Sequence, residues 1–183
     1  MRRVAILSGP SGSGKSTFGR TLAARLGVPY VETDALVHGP GWVERSADEV
    51  RTALEPTLAL DGWVIDNPYR RLVGDVVVDA ADTLIWLDLP MRVWLPRLLY
   101  RTLRRLAWDE ELWNGNRESW RLAFTGREGL FPFAFRAHVD TRRRYPARYA
   151  GYPLVRLRST GEVRAFLVAA EATEAVRRAT IAR

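Results

Sequence analysis

The run Gly9-Pro10-Ser11-Gly12-Ser13-Gly14-Lys15-Ser16-Thr17 fits the pattern of two glycines bracketing four residues and followed by Lys and Ser or Thr, the Walker A loop. Its flanks agree with that reading. Arg3 to Ser8 is a short apolar and β-branched run, suited to a buried parallel strand. From Lys15 to Leu26 the apolar residues Phe18, Leu22, Ala23 and Leu26 recur at helical spacing, and Gly27 followed by Pro29 stops the helix. Strand, glycine loop, helix is the context that the motif demands. Glycines let the backbone approach a phosphate chain, and the N-terminus of the following helix adds partial positive charge. Gly9, Pro10, Ser11, Gly12, Ser13, Gly14, Lys15, Ser16 and Thr17 are therefore expected to cradle the phosphates of ATP. Lys15 would bridge the β- and γ-phosphates, and Ser16 would offer its hydroxyl to Mg2+.

Outward from this loop the alternation continues. Tyr30-Val31 reads as a second strand, Ala47 to Leu60 as a helix capped by Ser46, Trp63 to Asp66 as a third strand, Thr83 to Leu87 as a fourth and Val155 to Leu157 as a fifth. Strands separated by helical stretches imply right-handed crossovers and a parallel sheet covered on both faces. The expectation is an α/β chain with the three-layer P-loop NTPase fold and a five-stranded parallel sheet. One domain spanning 1–183 is expected. Near its end Ser159-Thr160-Gly161-Glu162 forms a capping box that opens a final helix, and the Ala-rich stretch after Ala170 extends that helix or frays.

Pro90 suits the first position of a helix whose apolar face is Val93, Trp94, Leu95, Leu98, Leu99, Leu103 and Leu106. The opposite face carries Arg92, Arg97, Arg101, Arg104 and Arg105, and Pro96 marks a kink within the first two turns. Between Trp108 and Gly129 the chain is rich in Trp, Asn, Gly and Arg, the composition of a mobile insertion rather than of a core element. An arginine-rich lid is expected around 97–129.

The charge pattern points the same way. The formal charge is +7, and residues 92–148 hold thirteen Arg against six acids, so the whole excess lies in that segment. Such a segment suits an anionic partner, either nucleoside phosphates or a nucleic-acid backbone. Of the 28 basic residues 27 are Arg, and the single Lys is Lys15. A compact ammonium is kept only in the phosphate loop. With no Cys and two His far apart, disulfides, thiolate chemistry and a zinc site are excluded. No stretch approaches a membrane span and no export signal opens the chain, so a cytoplasmic protein without a membrane partner is expected.

Two carboxylates lie where acceptor chemistry would need them. Asp66 ends a strand expected beside the loop strand, the place of an acid that holds Mg2+ through water. Asp34 follows the second strand at the carboxyl edge of the sheet, where ligands of such sheets bind. Each also fits a turn or helix cap, and Glu32 and Asp88 are weaker rivals. Transition-state charge on a transferred phosphoryl group is met by planar guanidinium groups, so Arg104, Arg105 and Arg117, with Arg101, are expected to act from the lid, and each equally suits a solvated basic face. His38 and His138 read as structural. The seven Trp read mainly as core, with Trp42 a wall for a substrate pocket.

The blocks Gly9 to Thr17, Glu32-Thr-Asp34 with Gly39-Pro40-Gly41-Trp42, Trp63-Val-Ile-Asp66-Asn67, Trp86-Leu-Asp-Leu-Pro90, Arg101 to Arg105 and Glu111 to Ser119 together resemble the small bacterial adenylate-kinase-like P-loop proteins, many of which carry the label "DNA topology modulation protein". The resemblance spans about 3–158. It implies a nucleoside-monophosphate-kinase-type fold, ATP with Mg2+, and an arginine-bearing lid. Adenylate kinases place Thr-Gly-Asp and Asp-Gly-Phe-Pro-Arg around the monophosphate, where this chain has Glu-Thr-Asp34 and Asp66-Asn-Pro-Tyr-Arg70. The first of these is closer to small-metabolite kinases of the shikimate or gluconate type, in which that Asp contacts the acceptor hydroxyl. The expected activity is transfer of the ATP γ-phosphoryl group, with Lys15 and Asp34 as catalytic residues and Ser16 and Asp66 at the metal. The acceptor would be a nucleoside, a nucleotide or a hydroxylated metabolite. A nucleotide-regulated nucleic-acid-binding protein and an acceptor-independent NTPase are the alternatives.

Overall fold

In the computed structural model, residues 1–125 and 129–181 are described, with side chains described as far as 174. Five strands form one parallel sheet: β1 (Arg3–Ile6), β2 (Tyr30–Glu32), β3 (Trp63–Asp66), β4 (Thr83–Leu87) and β5 (Leu154–Leu157), in the order β2-β3-β1-β4-β5. The expected α/β architecture and all five strands are present. Ser8 lies beyond β1, and β5 begins one residue before Val155.

Alternation along the strands builds both faces. Ala5 and Leu7, Trp63 and Ile65, and Leu84 and Trp86 face one cluster, with Val50, Leu54, Val73, Val77, Val78, Tyr145 and Tyr149 from helices α3 (Ala47–Leu58), α4 (Arg70–Val73), α5 (Val76–Ala80) and α8 (Leu130–Arg148) with the residue that follows it. Val4 and Ile6, Val64, and Ile85 and Leu87 face the other, against Phe18, Leu22, Ala23 and Leu26 of α1 (Lys15–Leu26) and Val163, Phe166, Leu167 and Ala170 of α9 (Thr160–Ile181). A period of two along strands buried on both sides is what a parallel sheet needs. The remaining helices are α2 (Thr33–Val37), α6 (Met91–Ala107) and α7 (Trp120–Phe124).

The caps fall where the residue types put them. Ser46 accepts from the Glu49 amide while the Glu49 carboxylate accepts from the Ser46 amide, opening α3; at α9 Ser159 accepts from the Glu162 amide while the Glu162 carboxylate accepts from the Arg158 amide. Pro90 takes the cap position of α6, with extended backbone, rather than its first turn, and Pro96 is carried inside the helix. The Ala-rich stretch after Ala170 continues α9 to Ile181. Among the described residues no helix is long and apolar enough to cross a membrane.

The described part of the segment after Trp108 holds local structure of its own. Residues Trp113–Gly115 form a 3-10 turn closed by a bridge between Glu111 and Arg117. That hairpin packs on another of the same build, in which His38 and Glu44 bridge across the 3-10 turn Pro40–Trp42. Asn116 is buried and joins them. Its Nδ2 donates to the Gly39 carbonyl (2.9 Å) and its Oδ1 accepts from the Trp42 amide (2.8 Å). Asn114 Nδ2 donates to the carbonyls of His38 and Ala35. Asn and Gly here are therefore contact residues, whose left-handed backbone at Asn114 and Gly115 makes the turn. Part of the expected lid, residues 126–128, lies outside the described residues.

Trp residues are also less uniformly buried than expected. Trp63, Trp86 and Trp94 are fully buried, whereas Trp108 and Trp120 are 73% and 62% exposed.

Candidate active site

Ligand chemistry converges at the carboxyl edge of the sheet, around the loop between β1 and α1. Gly12 and Gly14 hold φ of 84° and 87°, a region costly for any other residue. Gly12 has a second reason to be glycine. A Cβ there would lie 2.5 Å from the Trp94 carbonyl oxygen and 2.9 Å from the Leu98 Cβ, so α6 rests directly on the loop. Gly14 caps α1 without a side chain, which leaves the first-turn amides pointing at the crevice for an anion. Lys15 opens the helix and Ser16 follows it.

Register places Asp66 beside Ile6 of β1 and opposite Glu32 of β2, as expected for an acid next to the loop strand. Its Oδ2 accepts from Ser16 Oγ at 3.0 Å and from Tyr30 OH at 3.3 Å. Its Oδ1 is buried with no partner among the described residues. Burial, with Asp34 and Glu32 adding negative charge, pushes the carboxyl up to about 6, against the pull of Lys15. A buried carboxylate oxygen without a donor, beside a serine hydroxyl at the end of the phosphate loop, is a fit for a hard cation. Among the described residues no group of three His, Asp or Glu could hold a metal alone. Water and phosphate oxygens would complete the shell.

Asp34 lies in the first turn of α2. Its Oδ1 accepts from Asn67 Nδ2 at 3.0 Å and from Tyr69 OH at 2.7 Å. Burial and the Asp34 charge drive the Tyr69 phenol far above its usual range, so it remains a donor. The rivals are engaged elsewhere. Glu32 pairs with Arg20 at 2.7 Å, and buried Asp88 is held by Arg142 and Arg156, both at 2.6 Å.

The arginines divide by their partners. Arg104 pairs with Glu110 (2.8 Å), Arg105 with Glu118 (2.7 Å), and Arg117 with Asp109, Arg104 and Arg117 being half-exposed. Arg101 is different, because among the described residues no carboxylate pairs with it, while its Nε, like that of Arg105, is buried without a hydrogen-bond partner. Burial first, and the neighbouring Arg105 next, hold its guanidinium below its usual range, while Glu118, Asp34 and Glu32 oppose that. Arg97, one turn earlier, brings Nη1 to 3.7 Å from where a Cβ on Gly14 would stand. Helical spacing thus sets Arg97, Arg101 and Arg105 in a row from the phosphate loop past Asp34.

Sequence reasoning assigned no role to Asn67 and Tyr69 and read His38 as structural. His38 Nε2 lies 3.0 Å from Tyr69 OH, and its ring lies among Trp42, Trp113 and Tyr69. Trp42 thus lies against His38, with its indole Nε1 donating to the Arg117 carbonyl. His138 is structural as expected, accepting from Trp94 Nε1 at 3.2 Å.

The sequence is 31% identical over 179 residues to the shikimate kinase of Mycobacterium avium, covering 88% of this chain and 97% of that one. The chain belongs to the family of P-loop kinases that includes the shikimate kinases. The shikimate kinase of Mycobacterium tuberculosis is 29% identical over 171 residues, covering 84% and 92%. Residues 5–62 match the family described as ATPase family associated with various cellular activities (AAA). In fold, the chain is similar to a gluconokinase from Sinorhizobium meliloti, with TM-score 0.52, 19% identity, and 98% and 95% of the chains covered. It is also similar to the Acinetobacter baumannii shikimate kinase in complex with shikimate, with TM-score 0.54, 15% identity, and 91% and 89% covered. The protein is an ATP-dependent small-molecule kinase.

Proposed function

We propose that the chain transfers the γ-phosphoryl group of ATP to a hydroxyl of a small metabolite that lies between Asp34 and Arg101. The arrangement of Asp34 carries this reading. Oδ1 is filled by Asn67 and Tyr69, and Oδ2 has no such partner among the described residues. A carboxylate held on one oxygen and open on the other can orient an acceptor hydroxyl across the crevice from Lys15. The acceptor oxygen would attack the γ-phosphorus as the bond to the ADP oxygen breaks, and its proton would pass to Asp34 Oδ2. Mg2+, held through Ser16 and Asp66, would supply charge neutralisation at the phosphates.

Arg101 stands as the foremost cation for the transferring group, because among the described residues no carboxylate occupies its guanidinium, which is available to a new acceptor. Arg104, Arg105 and Arg117 belong to the same lid reading, in which closure exchanges their carboxylates for phosphate. Their existing pairs favour this over a nucleic-acid track, which needs free cations. The single-domain organisation with a lid around 97–129, a cytoplasmic location, and the finer likeness to the "DNA topology modulation protein" group on Glu111 to Ser119 are part of the same proposal.

The names of the relatives make shikimate and gluconate the first acceptors to try. ADP release with Mg-ATP is measured against these, other hydroxy acids, sugars, nucleosides and nucleoside monophosphates. Turnover with a hydroxylated metabolite, lost by roughly two orders of magnitude in Asp34→Asn at unchanged ATP affinity, is expected. Full turnover in Asp34→Asn would overturn the reading.

A further inference from the structure

Asn67-Pro68-Tyr69 follows β3 in a backbone that asymmetric residues seldom adopt. Asn67 has φ of 59° and Tyr69 has φ of 45°, so two left-handed residues flank one proline. Asn tolerates this region, whereas a bulky tyrosine there is strained. Such strain persists where the surroundings hold it, and here both side chains converge on one oxygen, Asp34 Oδ1.

Counting protons orders the contacts. The Tyr69 hydroxyl has one proton, and a carboxylate can only accept, so that proton goes to Asp34. Toward His38 the phenol oxygen must then accept, which requires the proton on His38 Nε2. On the other side Ser8 Oγ donates to Asn67 Oδ1, and Asn67 Nδ2 donates to Asp34. Ser8 joins β1 to the phosphate loop, and its carbonyl accepts from Tyr145 OH at 2.9 Å.

We infer that Asn67, Tyr69 and His38 are positioning residues, a chain of donors from the phosphate loop and from the Trp42–Trp113 side that fixes Asp34 with Oδ2 toward the acceptor. This rests on the proposed role of Asp34. His38 does not touch the acceptor; it aims the Tyr69 hydroxyl, and Tyr69 and Asn67 aim the carboxylate. A rotamer change at Asp34 would otherwise turn either oxygen, or neither, toward the attacking hydroxyl.

The test has one arm that needs no acceptor. The chain holds two histidines, so long-range nitrogen–proton NMR of the full chain resolves the tautomer of each. A proton on Nε2 is expected at His38, and a ring protonated on Nδ1 alone would overturn the inference. The second arm measures ADP release with Mg-ATP and shikimate or gluconate, and without either compound, in Tyr69→Phe, His38→Gln, His38→Phe and Asp34→Asn. Tyr69→Phe is expected to lower kcat by about tenfold or more, with KM for ATP within about twofold and the thermal midpoint near wild type. His38→Gln, which keeps a donor, should retain most turnover, and His38→Phe should not. Combining His38→Phe with Tyr69→Phe should cost no more than the latter alone, because residues of one chain are non-additive. Wild-type turnover in Tyr69→Phe, or losses that multiply, would sink the inference. Undiminished turnover in Asp34→Asn would instead remove the reading on which it rests.

Discussion

Replacing Asp66 by Asn separates the cost of the site from its use. In the folded chain the Asp66 carboxyl rises from 3.8 to about 6, chiefly through burial. Between those values the folded chain holds a proton that the unfolded chain has released, so stability falls as pH rises through this window. Each pH unit of displacement is worth ~1.4 kcal/mol, so the penalty above pH 6 is on the order of 3 kcal/mol. The opposing pull of Lys15 is already within that figure. Asn imitates the protonated acid and keeps an oxygen for the Ser16 and Tyr30 hydroxyls, which donate at 3.0 and 3.3 Å. Asp66→Asn without ligands should therefore match wild type near pH 4 and exceed it by ~1–3 kcal/mol at pH 7, a rise of roughly 3–10 °C in the midpoint. The assay is thermal or urea unfolding from pH 4 to 8, with the difference between the two proteins plotted against pH. Added Mg-ATP should then stabilise wild type more than the variant, reversing the order. A flat difference across the pH range, or a variant less stable at pH 7, would refute the burial argument.

Lys15→Ala should abolish the thermal stabilisation by Mg-ATP, since charge-assisted bonds to phosphate contribute about 1.5–3 kcal/mol each; an unchanged shift would refute the phosphate-loop role. Arg101→Ala should lower kcat by at least about tenfold and by more than Arg104→Ala does, because Arg104 is already paired at the surface; the reverse order would move the phosphoryl contact outward. Asn116→Ala strands the Trp42 amide and the Gly39 carbonyl. It should expose the chain between Trp108 and Thr125 to protease and alter tryptophan fluorescence, at ~1–3 kcal/mol per stranded group; an unchanged cleavage pattern would deny the docking a role.

The parts of the molecule read correctly from sequence are those encoded within a few residues. Lys15–Leu26 is bounded as its periodicity and Gly27 indicate, and the sheet follows from five short β-rich runs. The phosphate loop is legible because its chemistry resides in consecutive backbone amides. The surroundings of Asp34 are not, since Asn67 and Tyr69 lie 33 and 35 residues away and reach it only through two left-handed backbone turns. His38 carries no local sign of its role, because a histidine one turn past Asp34 looks the same whether or not a phenol faces it. Asn114 and Asn116 were ambiguous for another reason. The residue types that loosen a loop also supply amides able to bond a facing carbonyl, and composition does not say whether a facing carbonyl exists.

The contact of α6 with Gly12 has a bearing on how the protein fails under heat. The carbonyl of Trp94 and the start of Leu98 occupy the space that any side chain at Gly12 would need, so the curvature of the phosphate loop is propped by a helix outside its own strand–turn–helix unit. Should that prop tilt, the amides that grip the nucleotide lose their common focus while the five strands stay paired. Nucleotide affinity is then a gauge of how α6 leans, and on warming it should fade below the temperature at which the sheet melts.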